Sequence, residues 1–213
     1  LNLYHFVNKT SEALPGLLTL TYVPNYFDIL PMYIVILALL PFVMLAAKIH
    51  RWAVFAFSAG LWLLANFGYL DLPAEPWSDR EWFFNPFGWQ LVFFTRYSIS
   101  RGWLTPPPFN RYLMAACMVF VVAAAPVSHW WFFVGYQDSL PFLADWREAT
   151  LPWRAKTDYG ILRFVHFLAL AYITVNLVRG REHLLLHKAC HPIRTVGQQA
   201  LPVFLLNMWL AQL

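Results

Sequence analysis

The stretch KTDYGILRFVHFLALAY, Lys156 to Tyr172, sets a lysine, an aspartate, an arginine and a histidine at the mouth of an apolar segment of membrane-crossing length. Ionisable side chains near hydrocarbon are costly and are kept for a ligand or a partner. Arg163 and His166 are three residues apart, which puts them on one helix face with Tyr159. Arg163 lies about one turn inside the helix, too deep to reach water if it faces lipid, so it must face the protein interior or a wet cavity and meet an anion there. That anion belongs either to the protein or to a substrate. His166 is either a general base or a hydrogen-bonded core histidine. Asp158 either caps the helix, where a carboxylate also suits the dipole, or contacts a ligand beside Lys156.

Three further segments carry polar groups. FFNPFGWQLVFF places Asn85 as N-cap, Pro86 as first helical residue, and Trp89 and Gln90 just inside the helix start. Asn, Trp and Gln at a cavity mouth suit carbohydrate, through stacking and paired hydrogen bonds; a capped helix start with an aromatic belt is the structural alternative. NYFDILPMY puts Asp28 in the first turn of another apolar segment, as a helix-dipole carboxylate or as a partner for Arg163 or Lys156. Near the end, Arg179, Arg181, Lys188 and Arg194 surround HLLLHKACH, and Gln198 and Gln199 follow. His183, His187, Cys190 and His191 have metal-like spacing, but a basic loop against lipid headgroups, or a dock for a phosphate-bearing donor, explains the segment better than zinc, and no metal is expected. The glutamines either bind a ligand or bond between helices. There is no Ser–His–Asp order, Gly-rich phosphate loop or glycosidase-type carboxylate pair.

The elements that must hold these residues are apolar helices. Of 213 residues 60% are hydrophobic and only 12% charged, about half the usual charged share of a soluble domain. The 11 Trp, 10 Tyr and 19 Phe suit aromatic belts at two interfaces. Segments near the required length of about 20 residues predict an all-α, polytopic transmembrane bundle of about six spans. These are Asp28–Ala47, with Pro41 deep inside; Trp52 to about Leu70; Pro86 to about Arg101; Arg111–Val134, interrupted by Pro126; Tyr159–Val178; and a sixth beginning near Val196. A polar loop is expected from Gly135 to Thr157. With the 48–51 loop in the cytoplasm, nine Lys and Arg fall on inner loops and five outside. Eight acids, Asp138 among them, fall outside and only Glu182 falls in an inner loop. This positive-inside bias accounts for the net charge of +4 and excludes a nucleic-acid surface. Cys117 lies in a span and Cys190 in a basic loop, so no disulfide is expected. The chain opens on Leu1 without a signal peptide and closes on the still apolar LPVFLLNMWLAQL, as expected for a piece of a longer protein.

FDILPMYIVILALLP, WFFNPFGWQLVFF, KTDYGILRFVHFLALAY and GQQALPVFL, in this order over most of residues 22–206, resemble the OpgC family, membrane proteins linked to succinylation of osmoregulated periplasmic glucans. That family is similar to the acyltransferase-3 superfamily. The resemblance implies one integral-membrane acyltransferase-like domain over 1–213, part of a protein of roughly ten spans. It implies a bacterial inner-membrane location, succinyl-CoA or another acyl-CoA as donor, a periplasmic glucan as acceptor, and membrane lipid around the chain. An early helix of such proteins carries a basic residue and a catalytic histidine; no matching helix is seen here, and His5 in LNLYHFVNK is not given that role. On this reading His166 assists catalysis. Arg163 holds the acyl carboxylate, and Lys156, Asp158 and Asp28 stand at the glucan side. Asn85, Trp89 and Gln90 line the sugar mouth. Arg179, Arg181, Lys188, Arg194, Gln198 and Gln199 meet the donor phosphates. A membrane transporter or flippase of an anionic or sugar substrate is the alternative, with Arg and His as relay groups; a non-catalytic scaffold is a third.

Overall fold

The computed structural model describes residues 4–24, 28–128, 134 and 141–210. Among these the chain is helical, without a strand; a single antiparallel bridge joins Pro73 to Glu81. The helices are α1 Tyr4–Asn8, α2 Thr10–Leu18, α3 Ile29–Ile49, α4 Arg51–Asn66, α5 Pro86–Ser100, α6 Arg111–Ser128, α7 Pro141–Ala149, α8 Ile161–Val178, α9 Glu182–Leu185, α10 His191–Gln198 and α11 Ala200–Leu210. Two short 3-10 turns lie at Pro152–Arg154 and Lys188–Cys190. The chain divides into two compact units, Leu1–Pro108 with Val122–Phe167, and Phe109–Val121 with Leu168–Leu213.

In the first unit α3, α4 and α5 pack on one another. Their seam is Met32, Ile36 and Val43 from α3, Val54 from α4 and Phe94 from α5, all buried. His50 ends α3 and starts α4, its Nδ1 accepting from the Trp52 N–H at 3.2 Å. A smaller apolar cluster of Val23, Ala74 and Trp82 ties the loop after α4 to the chain before α3. Val23 N–H donates to Ala74 O at 2.8 Å and Trp82 N–H to Leu72 O at 2.9 Å. The Arg80 guanidinium reaches the Val23 carbonyl and pairs with Glu75 at 3.4 Å.

Two helices are long and apolar enough to cross a membrane, Ile29–Ile49 and Ile161–Val178. Only 17% and 6% of the residues in their most apolar stretches are buried. They match the expected first and fifth spans to within two residues at each end. The expected second and third spans are shorter. α4 has 16 residues and α5 has 15, about 24 and 22 Å of helix at 1.5 Å per residue. Each ends at a glycine turn in the left-handed region, Gly68 at φ 75° and Gly102 at φ 70°. The fourth expected span begins at Arg111 and is helical to Ser128; its remainder to 133 lies outside the described residues. The loop expected from Gly135 to Thr157 contains α7 and a 3-10 turn instead, and its first part, with Asp138, lies outside the described residues.

In the second unit Asn110 starts α6, its Oδ1 accepting from Tyr112 N–H at 2.8 Å, while its own N–H donates to the Tyr172 hydroxyl at 2.9 Å. The expected sixth span is divided at Gln199 into α10 and α11; residues 211–213 lie outside the described residues.

Candidate functional site

In the first unit the end where α3 begins, α4 ends and α5 begins gathers Asp28, Asn85, Trp89, Lys156 and Asp158. Asn85 organises it. Extended at φ −65°, ψ 114°, it caps α5 through Oδ1, which accepts from Phe87 N–H at 3.0 Å, and Pro86 takes the first helical position, where no N–H is needed. Both amide hydrogens are used: Nδ2 donates to Leu70 O at 3.1 Å and to Asp158 Oδ1 at 3.0 Å. Its backbone N–H donates to Thr157 O at 3.1 Å.

Asp158 therefore does not cap α8, which begins three residues later; its side chain holds the start of α5. Asn66, at the end of α4, donates from Nδ2 to the Asp158 carbonyl at 2.9 Å, and Trp62 Nε1 donates to the Tyr159 carbonyl at 2.9 Å. Trp89 Nε1 donates to both Lys156 O and Thr157 O at 3.1 Å. Its ring lies 4.5 Å from Tyr159 and 5.1 Å from Phe84. So the 156–159 strap is bonded to α4 and α5 almost entirely through its backbone carbonyls. Two glycines allow this approach. A Cβ on Gly88 would stand 2.3 Å from Asp158 O, and one on Gly160 2.5 Å from Trp153 O. Tyr159 takes a left-handed conformation, φ 54°, to make the turn. It precedes α8, so it does not share a helix face with Arg163 and His166.

Electrostatics follow from burial. Burial pushes the Asp158 carboxyl above the ordinary aspartate value; the Asn85 hydrogen bond opposes this, and the charges of Asp71 and Glu81 add to it. Burial likewise raises the Tyr159 phenol, against the pull of Arg163. Asp28 is 3% exposed, and burial raises its carboxyl too. Its Oδ2 accepts from Phe83 N–H at 3.2 Å and its Oδ1 has no partner. It makes no cap bond to α3 and no ion pair with Arg163 or Lys156.

Gln90 is fully buried inside the three-helix seam. Ser58 Oγ donates to its Oε1 at 2.7 Å, and its Nε2 donates to Ser58 O at 2.8 Å and Phe87 O at 3.0 Å. Every N–H donor of Asn85, Trp89 and Gln90 is thus given to the protein itself. The groups left facing outward here are Lys156, whose ammonium lies 4.8 Å over the Phe83 ring and 5.9 Å from that of Phe84, and the half-exposed Phe83 face.

Arg163 is exposed on the first turn of α8. Its Nε donates to Arg154 O at 2.8 Å, and Arg154 Nη2 donates to Arg147 O at 2.9 Å. No carboxylate among the described residues pairs with Arg163, Arg154 or Lys156; the ion pairs there are Lys9–Glu12 and Arg80–Glu75. His166 is half-buried one turn beyond Arg163. Arg154 had no signal in the sequence beyond its charge, and Asn66, Trp62 and Gly88 had none beyond position; each acts through contacts made far along the chain.

The residues expected to meet donor phosphates all fall in the second unit. Arg179, Arg181, Lys188, Arg194, Gln198 and Gln199 are exposed there. Glu182 lies among them, its carboxyl held below the ordinary value by its own N–H and that of Gly180, with His183 and Arg179 adding to this. His187 Nδ1 accepts from Ala189 N–H at 3.2 Å, a cap rather than a free ligand position.

Comparison with known proteins returned no match among curated proteins and none among solved structures. The family model described as OpgC protein matches residues 1–213, the whole length of the sequence. A match of that extent places the chain in the OpgC protein family.

Proposed function

We propose that this chain is the acceptor-handling part of an OpgC-like O-acyltransferase of the bacterial inner membrane. In this reading it crosses the bilayer about six times, and it moves an acyl group, succinyl by preference, from a cytoplasmic CoA thioester to hydroxyls of a periplasmic glucan. Family membership supports acyl transfer. The observation that carries the placement of the ligand is that Lys156 and Arg163, on either side of one strap, are cations with no carboxylate partner among the described residues.

The chemistry asked of the site is simple. A base takes the proton of a sugar hydroxyl, the oxygen attacks the thioester carbonyl, the C–S bond breaks, and the CoA thiolate leaves with its charge to be protonated. Donors near the carbonyl oxygen lower the barrier to the tetrahedral stage. His166 assists the proton transfer and Arg163 holds the free carboxylate of a dicarboxylic acyl group. The Phe83 face with Lys156 offers a sugar a stacking surface and a donor. Asp158 and Asp28 fix this mouth from beneath, and Asn85, Trp89 and Gln90 are positioning residues whose donors are already engaged. The exposed cations of the second unit, with Gln198 and Gln199, meet the donor phosphates.

The test is glucan-dependent thiol release from succinyl-CoA by the purified complete gene product. Release that requires both substrates and transfers label to the glucan is expected. Thioester stable in the presence of folded protein and glucan would overturn the reading in favour of a transport role.

A further inference from the structure

We infer that Arg154 and Arg163 form a carboxylate-binding site. The inference rests on the acyl-transfer reading for its ligand, the free carboxylate of a dicarboxylic acyl group, but not for its geometry. Arg147, Arg154 and Arg163 come from the end of α7, the 3-10 turn and the first turn of α8. They are chained through backbone carbonyls, Arg163 Nε to Arg154 O and Arg154 Nη2 to Arg147 O. A carbonyl accepts a hydrogen bond but cancels no charge. Arg154 Nε is buried without an acceptor, and neither Arg154 nor Arg163 has a carboxylate within ion-pair distance among the described residues.

Two cations held by carbonyls and met by no carboxylate among the described residues leave a place for an anion. Arginine suits a carboxylate because its planar fork donates two parallel bonds. The cluster is held in place beforehand: Gly160 packs against Trp153 O so closely that a Cβ would stand 2.5 Å away, which locks the turn bearing Arg154 onto the start of α8. Burial, together with the charges of Arg147 and Arg163, lowers the proton affinity of Arg154 below its ordinary value.

The experiment titrates free succinate into the purified complete protein in detergent and follows tryptophan emission, for which exposed Trp153, next to Arg154, is the reporter. Saturable change is expected with succinate and none with neutral succinamide. Arg163→Gln and Arg154→Lys should each weaken binding about tenfold or more, the usual worth of a charge-assisted pair. Lys9→Gln, which removes a surface cation outside the cluster, should not. Arg154→Lys keeps the charge and Arg163 is exposed, so both variants should melt as wild type does. Succinate that fails to saturate, or binds both variants as it binds wild type, overturns the site. So does loss of the succinate response in phosphatidylglycerol nanodiscs but not in phosphatidylcholine ones, which would assign the arginines to lipid headgroups. Binding is read without turnover, so failure of acyl transfer leaves this result standing, and the converse holds too.

Discussion

Asn85 Nδ2 donates to Asp158 Oδ1 at 3.0 Å across 73 residues of sequence. That bond joins the cap of α5 to the strap that leads into α8, and much of the candidate site hangs from it. Asn85→Ala removes the cap and leaves Leu70 O and Asp158 Oδ1 without their donor. A loss of about 2–4 kcal/mol is expected, read as a lower melting temperature of the detergent-solubilised protein. Asn85→Asp should be worse than Ala at neutral pH, because it sets a second carboxylate against Asp158, and should recover towards the Ala value on acidification as one of the pair takes up a proton.

Gly88→Ala tests the closeness of the strap. The new Cβ would meet the Asp158 carbonyl at 2.3 Å, and both sides are backbone. The strap must move, at a cost of roughly 1–3 kcal/mol or more. Acyl transfer should fall further than the stability loss explains, because Lys156, Asp158 and Arg163 all shift with it.

Gln90 and Ser58 predict a coupling. Each satisfies the other inside the helix seam, so Gln90→Leu and Ser58→Ala should each destabilise, and the double variant should lose less than the sum, by about 0.5–3 kcal/mol. Glucan affinity of the surviving folded protein should not change. A Gln90 that contacts sugar would show the opposite pattern.

Asp28 gives a pH dependence. Its folded carboxyl is raised by burial, so the folded state holds the proton more tightly than the unfolded one. Stability from this group is therefore present at low pH and is lost as pH rises from the ordinary aspartate range through the raised value. Asp28→Asn keeps an acceptor for Phe83 N–H and removes the buried charge. The variant should melt higher than wild type at neutral pH, with the advantage vanishing as the pH is lowered into the aspartate range.

Some of this was legible before the structure. Local chemistry was: Asn85 with Pro86 marks a helix start by itself, and the long, predominantly apolar stretches of α3 and α8 give their length and position. Arg163 is expected to face the interior and meet an anion; instead it is exposed, and its Nε goes to the Arg154 carbonyl. The roles of its neighbours were not legible. Asp158 reads either as a cap for the helix beside it or as a ligand contact, and only the packing of α5 against the strap turns it towards Asn85. Gln90 reads either as a ligand group or as part of a capped helix start, and only the α4–α5 contact supplies Ser58. Arg154 reads as one more loop cation until the turn at Gly160 sets its carbonyl under Arg163. Spacing along a chain reports faces of one helix; it does not report which other element lies opposite.

The most direct test of the central claim is the charge and mass of periplasmic glucan from cells lacking the complete gene, complemented with wild type or with Arg163→Gln expressed to the same level. The account predicts loss of an anionic, succinyl-sized substituent on deletion, its return with wild type, and its continued absence with Arg163→Gln. Glucan unchanged by the deletion would contradict the proposed acceptor, and full restoration by Arg163→Gln would contradict the role given to the arginine.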